Sequence, residues 1–359
     1  MRVLFLYKYG ILGGVCTQLH HRMATMTDRI EVHCGFMTSQ GAEKLLSGIC
    51  TLHFGVTAEK MESLITEINF DLVIIIDTEE YVQRIALMEN LPPIVIEVHT
   101  SIEKNLEYLE NIPLKINPKF ITVSEFMRGE IEKRVNFERE DLIVIGNIID
   151  TEKFYFTPLK QNTTVEERPP IVWIGKIDDH KNWRAALEIC SSLKSSGKVH
   201  DLWIVGGHTA TQRTVEEFLG TVEDFGLIED LRWFDKIEHD AMPELLRKAR
   251  SRGGVGLVTS KGESFGMSIM ESLLVGLPVV CSNTGAISEL SEDRDFMPLF
   301  ELGDNETAIR ELQGLIGTWH TKKEYRTLVE KESKSLGLRF NSKTTRENYW
   351  STLVKMCEE

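Results

Sequence analysis

The feature that most constrains this 359-residue chain is a rhythm. Short runs rich in Val and Ile, with no polar alternation, recur between longer stretches of helical periodicity. Runs of that kind suit strands buried on both faces, and the interposed helices make βαβ units with parallel pairing. The strands expected are Val3–Tyr7, Glu31–Cys34, Leu72–Ile76, Ile94–Val98, Phe120–Val123 and Leu142–Ile145, then Ile171–Ile174, Leu202–Val205, Leu231–Phe234, Gly254–Leu257, Pro278–Cys281 and Met297–Leu299. Lys60–Ile68 and Met242–Lys248 are helical patterns between them. The segment Thr157–Pro170 carries three prolines and no apolar periodicity, so it is the expected linker. The fold class is therefore α/β, with one Rossmann-like domain at 1–156 and another at 157–341. The stretch Ser342–Glu359 reads as a last amphipathic helix, N-capped by Ser342, with Tyr349, Leu353 and Met356 on one face. In open parallel sheets ligands bind beyond the carboxyl ends of the strands, so two such domains are expected to face each other across one cleft.

Charge and cysteine usage narrow the function. The net charge is −14, spread as −8 over residues 1–150 (14 basic, 22 acidic) and −6 over the remainder (27 and 33). No basic face is available for nucleic acid, so no nucleic-acid partner is expected. Cys16, Cys34, Cys50, Cys190, Cys281 and Cys357 form no C-x-x-C pair, so no zinc or redox motif is expected. The apolar start is broken by Lys8 and is too short for a signal peptide. No apolar run approaches the roughly 20 residues of a membrane span. The expectation is a cytoplasmic protein. Membrane association is not favoured, and no oligomeric state is read.

The richest segment is Lys261–Ser282, KGESFGMSIMESLLVGLPVVCS, which follows the expected strand Gly254–Leu257 and ends in the expected strand Pro278–Cys281. A helix starting near Phe265, capped by Ser264 or nearby backbone, would place Glu263 just before it and Glu271 about two turns in. The N–H groups of Phe265, Gly266 and Met267 would meet a diphosphate with the positive end of the helix dipole, and Gly266 would allow close approach. Glu263 could accept hydrogen bonds from sugar hydroxyls and Glu271 from a ribose diol. A second loop, Gly175–Asn182, brings Lys176 and Lys181 to a strand end, where two cations could neutralise a diphosphate without a metal. The Gly10–Gly14 loop lacks the G-x-G-x-x-G spacing, which disfavours a dehydrogenase. His99 ends the strand Ile94–Val98, whereas His20, His21 and His180 read as structural or peripheral.

Glu263, Phe265, Gly266, Glu271, Ser272, Gly276, Pro278, Val279 and Val280 stand in the order of the E-x7-E signature. The segment resembles that of retaining GT-B glycosyltransferases, the glycogen-synthase-like and mannosyltransferase-like family 4, also described as glycosyl transferases group 1. The likeness extends over nearly the whole chain. It takes in Gly13-Gly14-Val15, Val123–Phe126, Ile145–Phe154, Gly175-Lys176 with Lys181-Asn182, Val205-Gly206 and Gly303-Asp304. Lys176 stands where Arg is more frequent, and Lys keeps the charge without the bidentate fork. Asp235 stands where a glycine is frequent near the nucleotide base.

The resemblance implies a retaining, metal-independent transfer of a sugar from a nucleotide-sugar donor to an acceptor hydroxyl. His99, Lys181 and Glu263 would be catalytic. Gly13, Gly14, Lys176, Lys181, Glu263, Phe265, Gly266, Met267 and Glu271 would bind the donor. Front-face attack and a last helix crossing back to the first domain are further implications. No metal and no cofactor are expected, since the nucleotide-sugar is a substrate, and a UDP-sugar is favoured over a GDP-sugar. The acceptor is expected to be a small soluble molecule of unidentified structure. Two other readings stay open on the same architecture: a nucleotide-sugar epimerase or glycoside phosphorylase, and a non-catalytic sugar-nucleotide binder.

Overall fold

A computed structural model describes residues 1–11, 13–23, 30–135, 141–159, 168–293, 295–316, 318 and 322–358. The chain divides into two units, Met1–Ile148 with Ser342–Glu359, and Ile149–Asn341.

The first unit holds seven parallel strands: β1 (Arg2–Ile11), β2 (Glu31–Gln40), β3 (Thr51–Phe54), β4 (Leu72–Ile76), β5 (Ile94–Val98), β6 (Lys119–Thr122) and β7 (Leu142–Val144). Their spatial order is β3-β2-β1-β4-β5-β6-β7. All five residues of β4, an unbroken apolar run, are buried, and so are all five of β5, Glu97 included. β1 outruns the apolar stretch that announces it. Val3–Tyr7 pair on both sides, with β2 and β4, whereas Tyr9–Ile11 continue against β2 alone. The last helix, Ser342–Glu358, packs Tyr349, Leu353 and Met356 into this unit's core beside Phe5, Cys34 and Ile74. It already includes Ser342 as a helical residue, so Ser342 is inside the helix and not its cap.

The second unit holds six parallel strands: β8 (Pro170–Ile174), β9 (Asp201–Val205), β10 (Leu231–Phe234), β11 (Val255–Val258), β12 (Val279–Ser282) and β13 (Leu299–Phe300). Their order, β10-β9-β8-β11-β12-β13, repeats the doubly wound pattern of the first sheet. Trp173, Trp183, Leu187, Phe218 and Leu257 centre its core. This unit begins ahead of the expected linker. Phe154 is fully buried with its ring 5.2 Å from that of His239, and the Arg250 guanidinium lies 4.7 Å from the Phe156 ring. These contacts tie the chain to the second unit before Thr157. Residues 160–167 of the expected linker lie outside the described residues.

Among the described residues no helix is long and apolar enough to cross a membrane. All six cysteines carry free thiols.

Candidate active site

In a doubly wound sheet the binding crevice lies where the strand order reverses, beyond the carboxyl ends of the two central strands. In the second unit those strands are β8 and β11. The loops that follow them are Gly175–Asn182 and Thr259–Gly266, the two segments singled out by their residues.

The two loops are bonded together. The Thr259 hydroxyl donates to the carbonyls of Lys181 (3.1 Å) and Asn182 (2.9 Å) and accepts from Trp173 Nε1 (3.1 Å). The Lys261 N–H donates to the His180 carbonyl at 2.8 Å. Asp178 accepts the backbone N–H of Lys181 at 2.8 Å, and Asn182 sits in the left-handed region (φ 52°) as the Trp183–Ser195 helix begins. Gly175 leaves room for the lysine stem, since a Cβ there would stand 3.1 Å from Lys181 Cγ.

With its backbone fixed, Lys181 reaches across to Glu263, placing Nζ 2.5 Å from Oε1. The same oxygen accepts the Ser260 hydroxyl at 2.7 Å. Ser260 is anchored in turn, its carbonyl accepting from Ser282 (2.7 Å) and Thr284 (2.9 Å). Ala286 N–H holds the Glu263 carbonyl at 2.8 Å. Burial and the charge of Lys181 push the His180 imidazole below its ordinary value. Lys176, by contrast, is exposed and has no ion-pair partner among the described residues.

The helix bearing the second glutamate starts later than expected, at Met267, with Gly266 as N-cap in the left-handed region (φ 89°). Ser264 is therefore not the cap, and no side chain caps this helix. Phe265 lies outside it with its ring buried, 5.9 Å from Phe340. Gly266 is required by its φ and by apolar neighbours: a Cβ would meet Leu290 at 3.0 Å and Ile269 at 3.1 Å. The helix opens with the amides of Met267 and Ser268, and Ile269 N–H bonds the Gly266 carbonyl at 3.1 Å. The shift places Glu271 about one turn in, not two. Its buried carboxylate accepts from or pairs with His239 Nε2 at 3.0 Å. Burial lowers the His239 pKa, but Glu271 outweighs it and holds the imidazole above its ordinary value.

In the first unit the corresponding strand ends belong to β1 and β4. Gly14 opens the helix Gly14–Met23, and a Cβ added there would meet nothing within 4 Å. Gly13 accepts the Thr17 N–H through its carbonyl, and Leu12 is outside the described residues. Asp77, just past β4, takes a positive φ of 41° that is uncommon for a non-glycine residue. Its two oxygens accept the His99 backbone N–H at 3.0 and 3.2 Å. Burial pushes the Asp77 carboxyl up to about 6. The His99 ring is bonded through Nε2 to Glu97 at 3.0 Å.

The sequence patterns did not single out Thr259, Ser260, His239, Asp77 or Glu97. For Glu97 a signal existed: an acid inside an otherwise apolar buried strand needs a partner. Among the described residues no group of three or more His, Cys, Asp or Glu side chains is placed to hold a metal ion.

The family model for glycosyl transferases group 1 matches residues 157–343, just over half of the chain. The chain belongs to the glycosyl transferases group 1 family. This group 1 glycosyl transferase is 24% identical over 179 residues to O-antigen chain mannosyltransferase B of Escherichia coli, covering 48% of this chain and 45% of that one. It is also 24% identical over 274 residues to phosphatidyl-myo-inositol mannosyltransferase of Mycolicibacterium smegmatis, covering 75% and 68%. The chain thus spans less than half the length of the first of these relatives. Among solved structures, Anabaena HepE in complex with UDP-glucose superposes with a TM-score of 0.81 at 20% identity, over 99% of this chain and 100% of that one. A likeness of that kind establishes the fold, which is GT-B for this group 1 glycosyl transferase.

Proposed function

We propose that this protein is a retaining, metal-independent glycosyltransferase that moves a sugar from a nucleotide-sugar to a hydroxyl of a small soluble acceptor. The observation that carries the reading is the Lys181–Glu263 pair at the switch point of the second sheet, four residues ahead of the helix that bears Glu271. Family membership and the UDP-glucose held by the similarly folded HepE support it.

In this reading Glu271 grips the ribose diol. Lys181, assisted by Lys176, exchanges its carboxylate partner for the donor diphosphate. Glu263 and the amides at Met267 and Ser268 take sugar hydroxyls. Phe265 and Gly266 shape that turn rather than touch the donor. His99, Gly13 and Gly14 are the first unit's contribution to the transfer. The bond from the anomeric carbon to the leaving phosphate breaks as the acceptor oxygen attacks from the same face, and the acceptor proton passes to the leaving diphosphate. The protein's work is then positioning and stabilisation of phosphate charge.

A UDP-sugar is the favoured donor. Screening UDP-, GDP-, ADP- and dTDP-sugars for stabilisation and slow hydrolysis tests the reading. One nucleotide series should raise Tm and release nucleotide, and silence from every series would refute it. Product with inverted anomeric configuration, or loss of turnover in EDTA, would overturn the retaining and metal-independent parts.

A further inference from the structure

Glu97 lies in β5, and His99 follows directly after the end of that strand. Glu97 has no exposed surface. A buried carboxylate is tolerated only with partners, and this one has three. Arg22, from the first helix, brings NH1 to 2.5 Å from Oε2. Tyr349, from the last helix, donates its hydroxyl to Oε1. His99 Nε2 lies 3.0 Å from Oε2. The Arg22 guanidinium also lies over the Tyr349 ring at 4.1 Å and donates to its hydroxyl at 3.2 Å, so the two partners hold each other.

Burial alone would raise the Glu97 carboxyl, but Arg22, His99 and Tyr349 hold it down at about 2. It therefore stays ionised in any physiological buffer and can only accept hydrogen bonds. The ring nitrogen facing it must carry the proton. In the singly protonated ring that arrangement leaves Nδ1 with a lone pair, and Nδ1 has no hydrogen bond among the described residues. Asp77 fixes the backbone of the same residue through its N–H.

We propose that Glu97 is a positioning residue that locks His99 in its Nε2–H form, so that Nδ1 is offered as a hydrogen-bond acceptor to a substrate hydroxyl. The lock is loaded from two helices, through Arg22 and Tyr349, and it joins the last helix of the chain to the histidine. It rests on the reading that His99 serves the transfer site.

The test has a spectroscopic arm and a kinetic arm. Two-bond 15N–1H spectra of the full chain, with the His99 signals assigned by their loss in His99→Gln, report which ring nitrogen bears the proton. Wild type should show protonated Nε2 and unprotonated Nδ1. A Tyr349→Phe variant, which removes one bond to Glu97 but leaves the carboxylate on His99, should keep that pattern, whereas Glu97→Gln should mix the two tautomers. In the kinetic arm, with UDP-glucose as the probe and UDP release as the readout, Glu97→Gln should lower kcat about tenfold or more. Its KM should stay within about threefold. A wild-type His99 protonated on Nδ1, or a folded Glu97→Gln with unchanged kcat, overturns the proposal. If Glu97→Gln does not fold, the wild-type and Tyr349→Phe spectra decide. Wild type that releases no UDP counts against the donor assignment, while the spectra, which need no substrate, still judge the lock.

Discussion

Lys181 Nζ and Glu263 Oε1 stand 2.5 Å apart, so the cation and the carboxylate read separately from the sequence satisfy each other. Neither side chain is fully buried, at 25% and 12% exposed, and Ser260 supplies Glu263 with a second donor. A diphosphate that takes Lys181 therefore leaves Glu263 with the Ser260 bond and a vacant acceptor for a sugar hydroxyl. Lys181→Met or Glu263→Ala should each cut transfer by about 100-fold or more, the scale of losing one preorganised charge partner. Each should cost roughly 1–2 kcal/mol of stability, between exposed and buried ion pairs. Since the two contacts are one contact, the double variant should lose less stability than the two single losses combined, which thermal melts of all four proteins would measure.

Gly285 lies in the left-handed region (φ 60°), and a Cβ there would stand 2.1 Å from the Glu263 carbonyl oxygen and 2.7 Å from its nitrogen. Gly285→Ala should therefore move Glu263 as well as strain the backbone. Gly197, also left-handed (φ 79°), has nothing within 4 Å of such a Cβ. Both alanine variants should lose about 1 kcal/mol from the backbone conformation. Only Gly285→Ala should lose transfer, by about tenfold or more, and equal activity in the two would show that the Gly285 contact does not govern Glu263.

His239 carries a raised pKa because Glu271 favours its charged form against burial. A raised value in the folded protein means that the stabilisation is fully present below the ordinary histidine value of about 6.5 and fades as pH climbs through the raised one. Melting temperatures of wild type should exceed those of His239→Gln by roughly 1–4 °C at pH 6, the pair being part-exposed. The gap should close in alkaline buffer. A gap that widens with pH would reverse the assignment.

Glu97 moves the other way. Its folded value of about 2 lies below the ordinary carboxylate range, so its contribution is present at neutral pH and is lost as pH falls from about 4.5 toward 2. Acid unfolding of wild type should be steep in that window, and Glu97→Gln, less stable at pH 7, should converge on wild type near pH 2. Parallel curves for the two proteins would contradict the shift.

Much of the fold was legible because buried parallel strands write themselves as apolar runs. Leu72–Ile76 and Ile94–Val98 carry the same boundaries in the sequence reading and in the structure. β3 was missed because Thr51–Phe54 is a short, half-exposed edge strand with no apolar run. The late start of the Met267 helix was illegible because a left-handed glycine cap leaves no side-chain signature beyond the glycine. The loops carrying Lys181 and Glu263 and the helix carrying Glu271 were found from their motif, but the roles of Thr259, Ser260 and His239 were not. Thr259 meets Lys181 from 78 residues away and His239 meets Glu271 from 32, separations that no local spacing encodes, while Ser260, three residues before Glu263, belongs to no motif.

The central claim is that the second unit holds a nucleotide-sugar through Lys181, Glu263 and Glu271. Calorimetric titration of wild type, Lys181→Met and Glu271→Ala with UDP-glucose, and with UDP- and GDP-linked relatives, tests it most directly. The account predicts saturable binding that favours the uridine donors and weakens by about tenfold or more in both variants, the scale of losing charged hydrogen bonds. Binding left intact by both substitutions, or no binding of any nucleotide-sugar by wild type, would contradict it.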